Sequence, residues 1–385
     1  MRRLFDRLLG QDAESYFWRG RELAKQGRLD DAIAIFDKAI AKDPMFAYAW
    51  DARGNAYGLK GEYLSALEDY RKAVMLQPDH AGMVGNEGRC QWKLGRLDEA
   101  LSVIDRAVAL DPAHANNRAI RAHIHTARGD FAAAVSEFDR AIDLDPASVD
   151  YYYHRAVARS KLADHRGCIA DLSTYLQASP DIALAYHVRG VAALNLGDTT
   201  QAISDLTQAI KLDPNSAAAW VSRGTSHMFA GDLSAAVHDC DCALEITPDL
   251  VAAHFWRGLS HQRAGNTELM AADLERYIAG SPAPEDWREY ANRARAFHML
   301  GRPEQGLTDA NHALDLCPRE PTVLTARGHI LADLGRHDDA VADLTAALAA
   351  DPNPFCRAEA NALLARLQQA ATTDPTTSGG CAKPE

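Results

Sequence analysis

The 385-residue chain has no apolar run approaching the roughly 18 uncharged residues that a membrane-spanning helix requires. Its start, Met1 to Gly10, is basic but lacks a continuous apolar core, so no secretory signal is read there and a cytoplasmic location is expected. Positive charge is short: 41 Lys and Arg against 53 Asp and Glu leave a formal net charge of −12. A nucleic-acid binder normally carries a basic patch or stripe, so no nucleic-acid partner is expected, and no membrane partner either. Seven cysteines at irregular spacing do not make a disulfide framework, and reduced, buried thiols fit better. Catalytic motifs are missing as well, with no phosphate loop, no HExxH and no GxSxG. His123 and His125 face different ways on a helix, His254 and His261 lack evident co-ligands, and Cys240 and Cys242 are badly spaced for one metal. Neither a metal nor a cofactor is expected, and the chain does not read as an enzyme.

What the sequence does have is a ruler. Pro44, Pro78, Pro112, Pro146, Pro180, Pro214, Pro248 and Pro282 are each 34 residues apart; Pro318 follows after 36 and Pro352 after another 34. Gly27, Gly61, Gly95, Gly129, Gly197, Gly231, Gly265, Gly301 and Gly335 keep a second phase of the same step, with Ala163 the exception. Ala32, Ala66 and Ala100 open a third, Ala39, Ala73 and Ala107 a fourth. Fixed self-similarity of this length signals stacked repeats rather than the two or three globular domains that length alone suggests.

Each repeat reads as two helices. Trp50, Gly54 and Tyr57 fall at i, i+4, i+7 on one helix face, Gly61 ends that helix, and Ala66, Tyr70 and Ala73 line the next until Pro78 stops it. Small Gly54 and Ala66 let the two backbones approach. No hairpin buries its apolar stripe alone, so stacking supplies the core. The runs Trp50-x2-Arg53-Gly54-x2-Tyr57, Ala66-x3-Tyr70-x2-Ala73 and Pro78, with Tyr16, Gly20, Leu23, Ala32, Phe36, Ala39 and Pro44, resemble the tetratricopeptide repeat family. The resemblance extends over residues 13–354 as ten units. It implies an all-α fold, a right-handed α-solenoid superhelix of ten helix-turn-helix repeats with a concave groove lined by first helices. Residues 1–12 read as an N-terminal extension or cap in which Leu4, Phe5, Leu8 and Leu9 form one short apolar face, 355–370 as a capping helix (Phe355, Ala358, Ala362, Leu363, Leu367), and 371–385 as a disordered tail.

Two departures from the family pattern stand out. Position 7, usually Leu, is Arg in nine of the ten repeats: Arg19, Arg53, Arg121, Arg155, Arg189, Arg223, Arg257, Arg293 and Arg327. Position 23, on the second helix, is acidic in eight: Asp69, Glu137, Asp171, Asp205, Asp239, Asp273, Asp309 and Asp343. Repeat 3 loses both together, with Glu87 and Val103. The joint loss predicts Arg–carboxylate bridges inside each hairpin rather than an anion-binding stripe. Secondly, Tyr175 and Tyr277 take a position that is Ala in the other eight repeats, and two residues are inserted after Pro282, which predicts irregular stacking near 180–183 and 282–288.

The family resemblance implies a protein or peptide partner, bound as an extended segment or helix in the groove. The candidate lining is Tyr153, Leu184, His187, Val191, Leu194, Val221, Met228, Phe255, Leu259, Arg288 and Arg295. Apolar residues on a solvent-facing wall need a reason, and three are open: partner binding, packing between neighbouring first helices, or self-association. The Lys/Asn/Arg clamp with which some members grip a carboxylate is absent, since only Asn55 and Asn86 approach it while Asp51, Asn116 and Ile120 stand at the paired positions. A binding scaffold or adaptor is expected; a regulatory subunit controlling a bound enzyme, or a self-associating structural protein, is the alternative.

Overall fold

The computed structural model describes residues 12–350 and 352–373. Leu4, Phe5, Leu8, Leu9 and the tail from 374 onward lie outside the described residues. Among the described residues there are 21 helices and no strand. They run as consecutive pairs from Ala13–Lys25 with Leu29–Lys42 to Pro321–Asp333 with His337–Ala349, and a last helix spans Pro354–Thr373. The chain is an α-solenoid of ten hairpins with a C-terminal helix packed on the tenth.

Repeat 2 shows why the sequence folds this way. Its first helix, Ala47–Lys60, ends at Gly61, which adopts φ +81 and whose amide bonds back to Gly58 and Tyr57. A left-handed residue at this point closes the helix, and only glycine takes that conformation without steric cost. The phase exception noted in the sequence meets the same demand: Ala163 sits at φ 58, the one positive-φ non-glycine among the described residues. The second helix, Tyr63–Leu76, then lies against the first at close range. A Cβ on Gly54 would sit 2.9 Å from Cε1 of Tyr70 and 3.2 Å from the carbonyl oxygen of Ala66, so the position admits no side chain without displacement.

The stack is held by one wedge per hairpin. Position 24 carries Phe36, Tyr70, Ile104, Phe138, Leu172, Leu206, Cys240, Leu274, Ala310 and Leu344, and every one is buried. Burying a large apolar side chain contributes about 2 kcal/mol, so the repeated wedge is a main source of cohesion. Trp50 and Trp220 add a tie to the preceding linker: each indole N–H donates to a proline carbonyl, Pro44 at 3.0 Å and Pro214 at 2.9 Å.

The predicted bridges are present in all eight repeats that carry both charges. Arg53, Arg155, Arg189, Arg223, Arg257, Arg293 and Arg327 each fork onto the carboxylate sixteen residues ahead, with N–O distances of 2.6–2.9 Å. Arg121 reaches the longer Glu137 at 2.7 Å. Burial pushes the Asp69 carboxyl up, and the two Arg53 hydrogen bonds pull it back. The guanidinium does more than the sequence pattern suggested. Its remaining nitrogen reaches back to the second helix of the preceding repeat, from Arg155 to Asp139 at 2.6 Å, Arg223 to Thr207 at 3.2 Å and Arg327 to Asn311 at 2.9 Å. Each such arginine therefore joins three helices. Repeat 3 keeps this inter-repeat contact with its charges reversed: Glu87 stands 3.6 Å from Arg71 of repeat 2.

The chain divides into two compact bodies, one ending at Ala178 and the other beginning at Ser179. The division falls just past Tyr175, whose ring leans on Tyr153 at 5.0 Å. In the second body Tyr277 is buried, and its hydroxyl donates to the Glu289 carbonyl at 3.4 Å. The helix carrying it stops at Gly280, and the next starts only at Trp287.

Candidate binding face

Within each body, first helices of neighbouring repeats pack against one another, as Ala13–Lys25 does on Ala47–Lys60 and Ala183–Asn195 on Ala217–Ala230, so each body presents a first-helix face. In the first body that face is polar and aromatic. Asp51 accepts from the Asn86 amide at 2.8 Å and the Asn55 amide at 3.1 Å, while the Asn55 carbonyl oxygen accepts from Arg89 at 2.9 Å and the Tyr70 hydroxyl at 3.0 Å. Burial raises the Asp51 carboxyl above the usual carboxylate range. The two asparagines nearest to a carboxylate clamp are thus committed to one another's neighbours. Further along, Trp92 stacks on His123 with centroids 5.0 Å apart, and His123 meets His154 edge-on at 4.4 Å. Desolvation pulls His123 down to about 3. Tyr153, the one candidate lining residue in this body, lies beside these rings and is partly shielded by Tyr175.

The second body holds the other ten candidates, and the structure separates them. Val221, Met228, Phe255 and Leu259 are buried, at 7%, 1%, 2% and 2% exposure. Met228, Phe255 and Leu259 pack with Leu274 and Tyr277, and Val221 with Ala243 and Ala253. These four are withdrawn from the surface by packing among the first and second helices around them, which the period alone does not reveal. Leu184 is 54% exposed, and Val191 and Leu194 are half-buried. His187 is half-buried, with Nε2 3.0 Å from the Ser222 hydroxyl, and burial lowers its pKa. Arg288 is exposed, its guanidinium over the Trp287 ring at 4.4 Å.

Arg295 is already engaged. Its Nη2 donates to Glu359 at 2.8 Å, and Arg263 lies 3.7 Å from the same carboxylate. Glu359 belongs to the C-terminal helix, Pro354–Thr373. The far side of that helix does what a cap does: Ala360, Leu363 and Leu367 pack against Leu344 and Leu348. Its apolar stripe differs from the one read in the sequence, since Ala358 and Ala362 point outward. The first turn goes elsewhere. Phe355 stacks on Phe229 with centroids 4.0 Å apart, and Arg263 covers the same Phe229 ring at 5.2 Å. Pro354 packs against Gly197, where an added Cβ would fall 2.9 Å from its ring. Cys356 approaches the Thr325 hydroxyl at 3.2 Å. Repeats 6 to 10 therefore each touch this single turn from the first helix or the turn that ends it. The sequence carried only a faint sign of this, an aromatic residue directly after the last repeat.

Known proteins place this architecture. Models of the tetratricopeptide repeat match residues 20–61, 52–115, 122–162, 187–251 and 321–354, which together exceed half of the chain. A tetratricopeptide repeat protein from Parabacteroides merdae superposes with a TM-score of 0.52 at 18% identity, covering 66% of this chain and 98% of that one. The Pseudomonas aeruginosa pilF protein gives 0.50 at 20% identity, covering 54% and 94%. At such identities the likeness shows the shared fold. No curated protein matches the chain. With its ten hairpins in register, its position-24 wedges and its matched repeats, the chain belongs to the tetratricopeptide repeat family.

Proposed function

We propose that the protein is a non-catalytic scaffold that holds a helix or extended peptide of another protein along its first-helix face. The repeats support a protein–protein interaction role in general. One observation carries the finer reading: in the second body this face already receives a helical turn, through a ring stack onto Phe229 and an ion pair to Arg295. A wall that seats one helix by an aromatic anchor and a charged pair has the means to seat another. In this reading Leu184, His187, Val191, Leu194, Arg288 and Arg295, with Tyr153 in the first body, supply the contacts, and Val221, Met228, Phe255 and Leu259 shape the wall from beneath.

A photo-crosslinking residue placed at Leu184, on a first helix, is compared with one at Leu316, an exposed position on a second helix. The same partner protein should be trapped from Leu184 and not from Leu316. Trapping from Leu316 alone would reject the face.

A further inference from the structure

The first turn of the C-terminal helix is more than a helix end leaning on its neighbours. A cap needs only to cover the apolar edge of the last hairpin, and Ala360, Leu363 and Leu367 do that against Leu344. The turn before them reaches three further first helices, at Arg295, Arg263 and Phe229 in repeats 9, 8 and 7, and the turn at Gly197 in repeat 6. It does so with two specific contacts of different kinds. Phe355 supplies a ring stacked at 4.0 Å on Phe229, and Glu359, one helical turn later, puts a carboxylate between two arginines. Residues four apart lie on one helix face, so ring and carboxylate point at the wall together. The arginine pair exceeds the single carboxylate it holds, and burial lowers the pKa of Arg263. In a chain of net charge −12, this is a local cationic socket on the first-helix face.

Building on the scaffold reading, we propose that Pro354–Glu359 is a built-in pseudo-ligand. The face in the second body recognises a partner helix carrying an aromatic residue followed four positions later by a carboxylate, and the partner must displace the chain's own turn. Phe229 is the platform for the partner's ring, and Arg263 and Arg295 hold its acid. The socket selects an acidic, aromatic helix and rejects a basic one.

The test uses the full chain. The probe is a fluorescent synthetic peptide reproducing residues 352–369 with Cys356→Ser, and its binding is read by anisotropy. The receptors are the wild-type chain and the double variant Phe355→Ala, Glu359→Gln, in which the covering contacts at Leu363 and Leu367 are untouched. If the turn occupies the face more than about nine-tenths of the time, the variant should bind the peptide at least ~10-fold more tightly than wild type. The same two changes made in the peptide should abolish binding. Alkylation of Cys356, only 6% exposed, should also accelerate in the variant, while circular dichroism confirms that its helices persist. Equal affinity of both chains, lost on Arg295→Ala, would overturn displacement and leave the scaffold reading standing. No binding by either chain would overturn the mimicry itself, and the crosslinking at Leu184 would then decide the scaffold reading separately.

Discussion

The arginine bridges allow a quantitative test of what holds each hairpin. In repeat 7, Arg223 forks onto Asp239 with both bonds at 2.8 Å, and the Asp239 side chain is 2% exposed against 16% for Arg223. The asymmetry matters. Arg223→Met leaves a carboxylate with almost no access to water, and an orphaned buried charge costs about 3–5 kcal/mol. Asp239→Leu leaves a guanidinium that still reaches the Thr207 hydroxyl at 3.2 Å, the Trp220 face at 4.9 Å and solvent, so about 2 kcal/mol is expected. The double variant leaves nothing unpaired and exchanges a buried ion pair for apolar contact, which should cost about 1 kcal/mol or less. The singles should therefore sum to several times the double. Hydrogen exchange across residues 217–246 is the assay of choice, since in a repeat array a local opening energy is better defined than one global transition. Single variants that cost the same, or a double equal to their sum, would refute the account.

Ala163→Gly should stabilise the first body by about 1 kcal/mol in urea unfolding, since a left-handed alanine at φ 58 is strained and glycine is not. Gly54→Ala should cost about 2 kcal/mol by the same measurement, because the new methyl group meets Tyr70 at 2.9 Å and the Ala66 carbonyl at 3.2 Å. His123 carries a lowered pKa of about 3, so below the ordinary histidine value near 6.5 the unfolded chain binds a proton that the folded chain does not. Stability is complete above that value and lost as pH falls, by about 2 kcal/mol at pH 5 from this group, and His123→Leu should flatten the slope between pH 7 and pH 5 by that amount. An unchanged slope would show that His123 is not desolvated by Trp92 and His154.

Much of this molecule is written in local chemistry. The proline step, the glycine at each helix end and the apolar period specify ten helix pairs and their order, because each mark acts within a few residues of itself. The sixteen-residue pairing of Arg223 with Asp239 was legible for a related reason: the hairpin fixes both ends, and repeat 3 loses both together. The back-reach to Thr207 was not legible, because it depends on how far one hairpin slides over the last. Tertiary packing alone decided which apolar first-helix residues face outward. Met228, Phe255 and Leu259 share a helical period with surface positions, yet they are buried in one cluster with Leu274 and Tyr277. It alone brought Phe355 to Phe229, residues far apart in sequence whose meeting follows from the accumulated turn of the intervening hairpins. A sequence specifies each step of a stack, but where the end of the chain lands is set by the sum of small rotations between neighbours, a quantity that no single residue encodes.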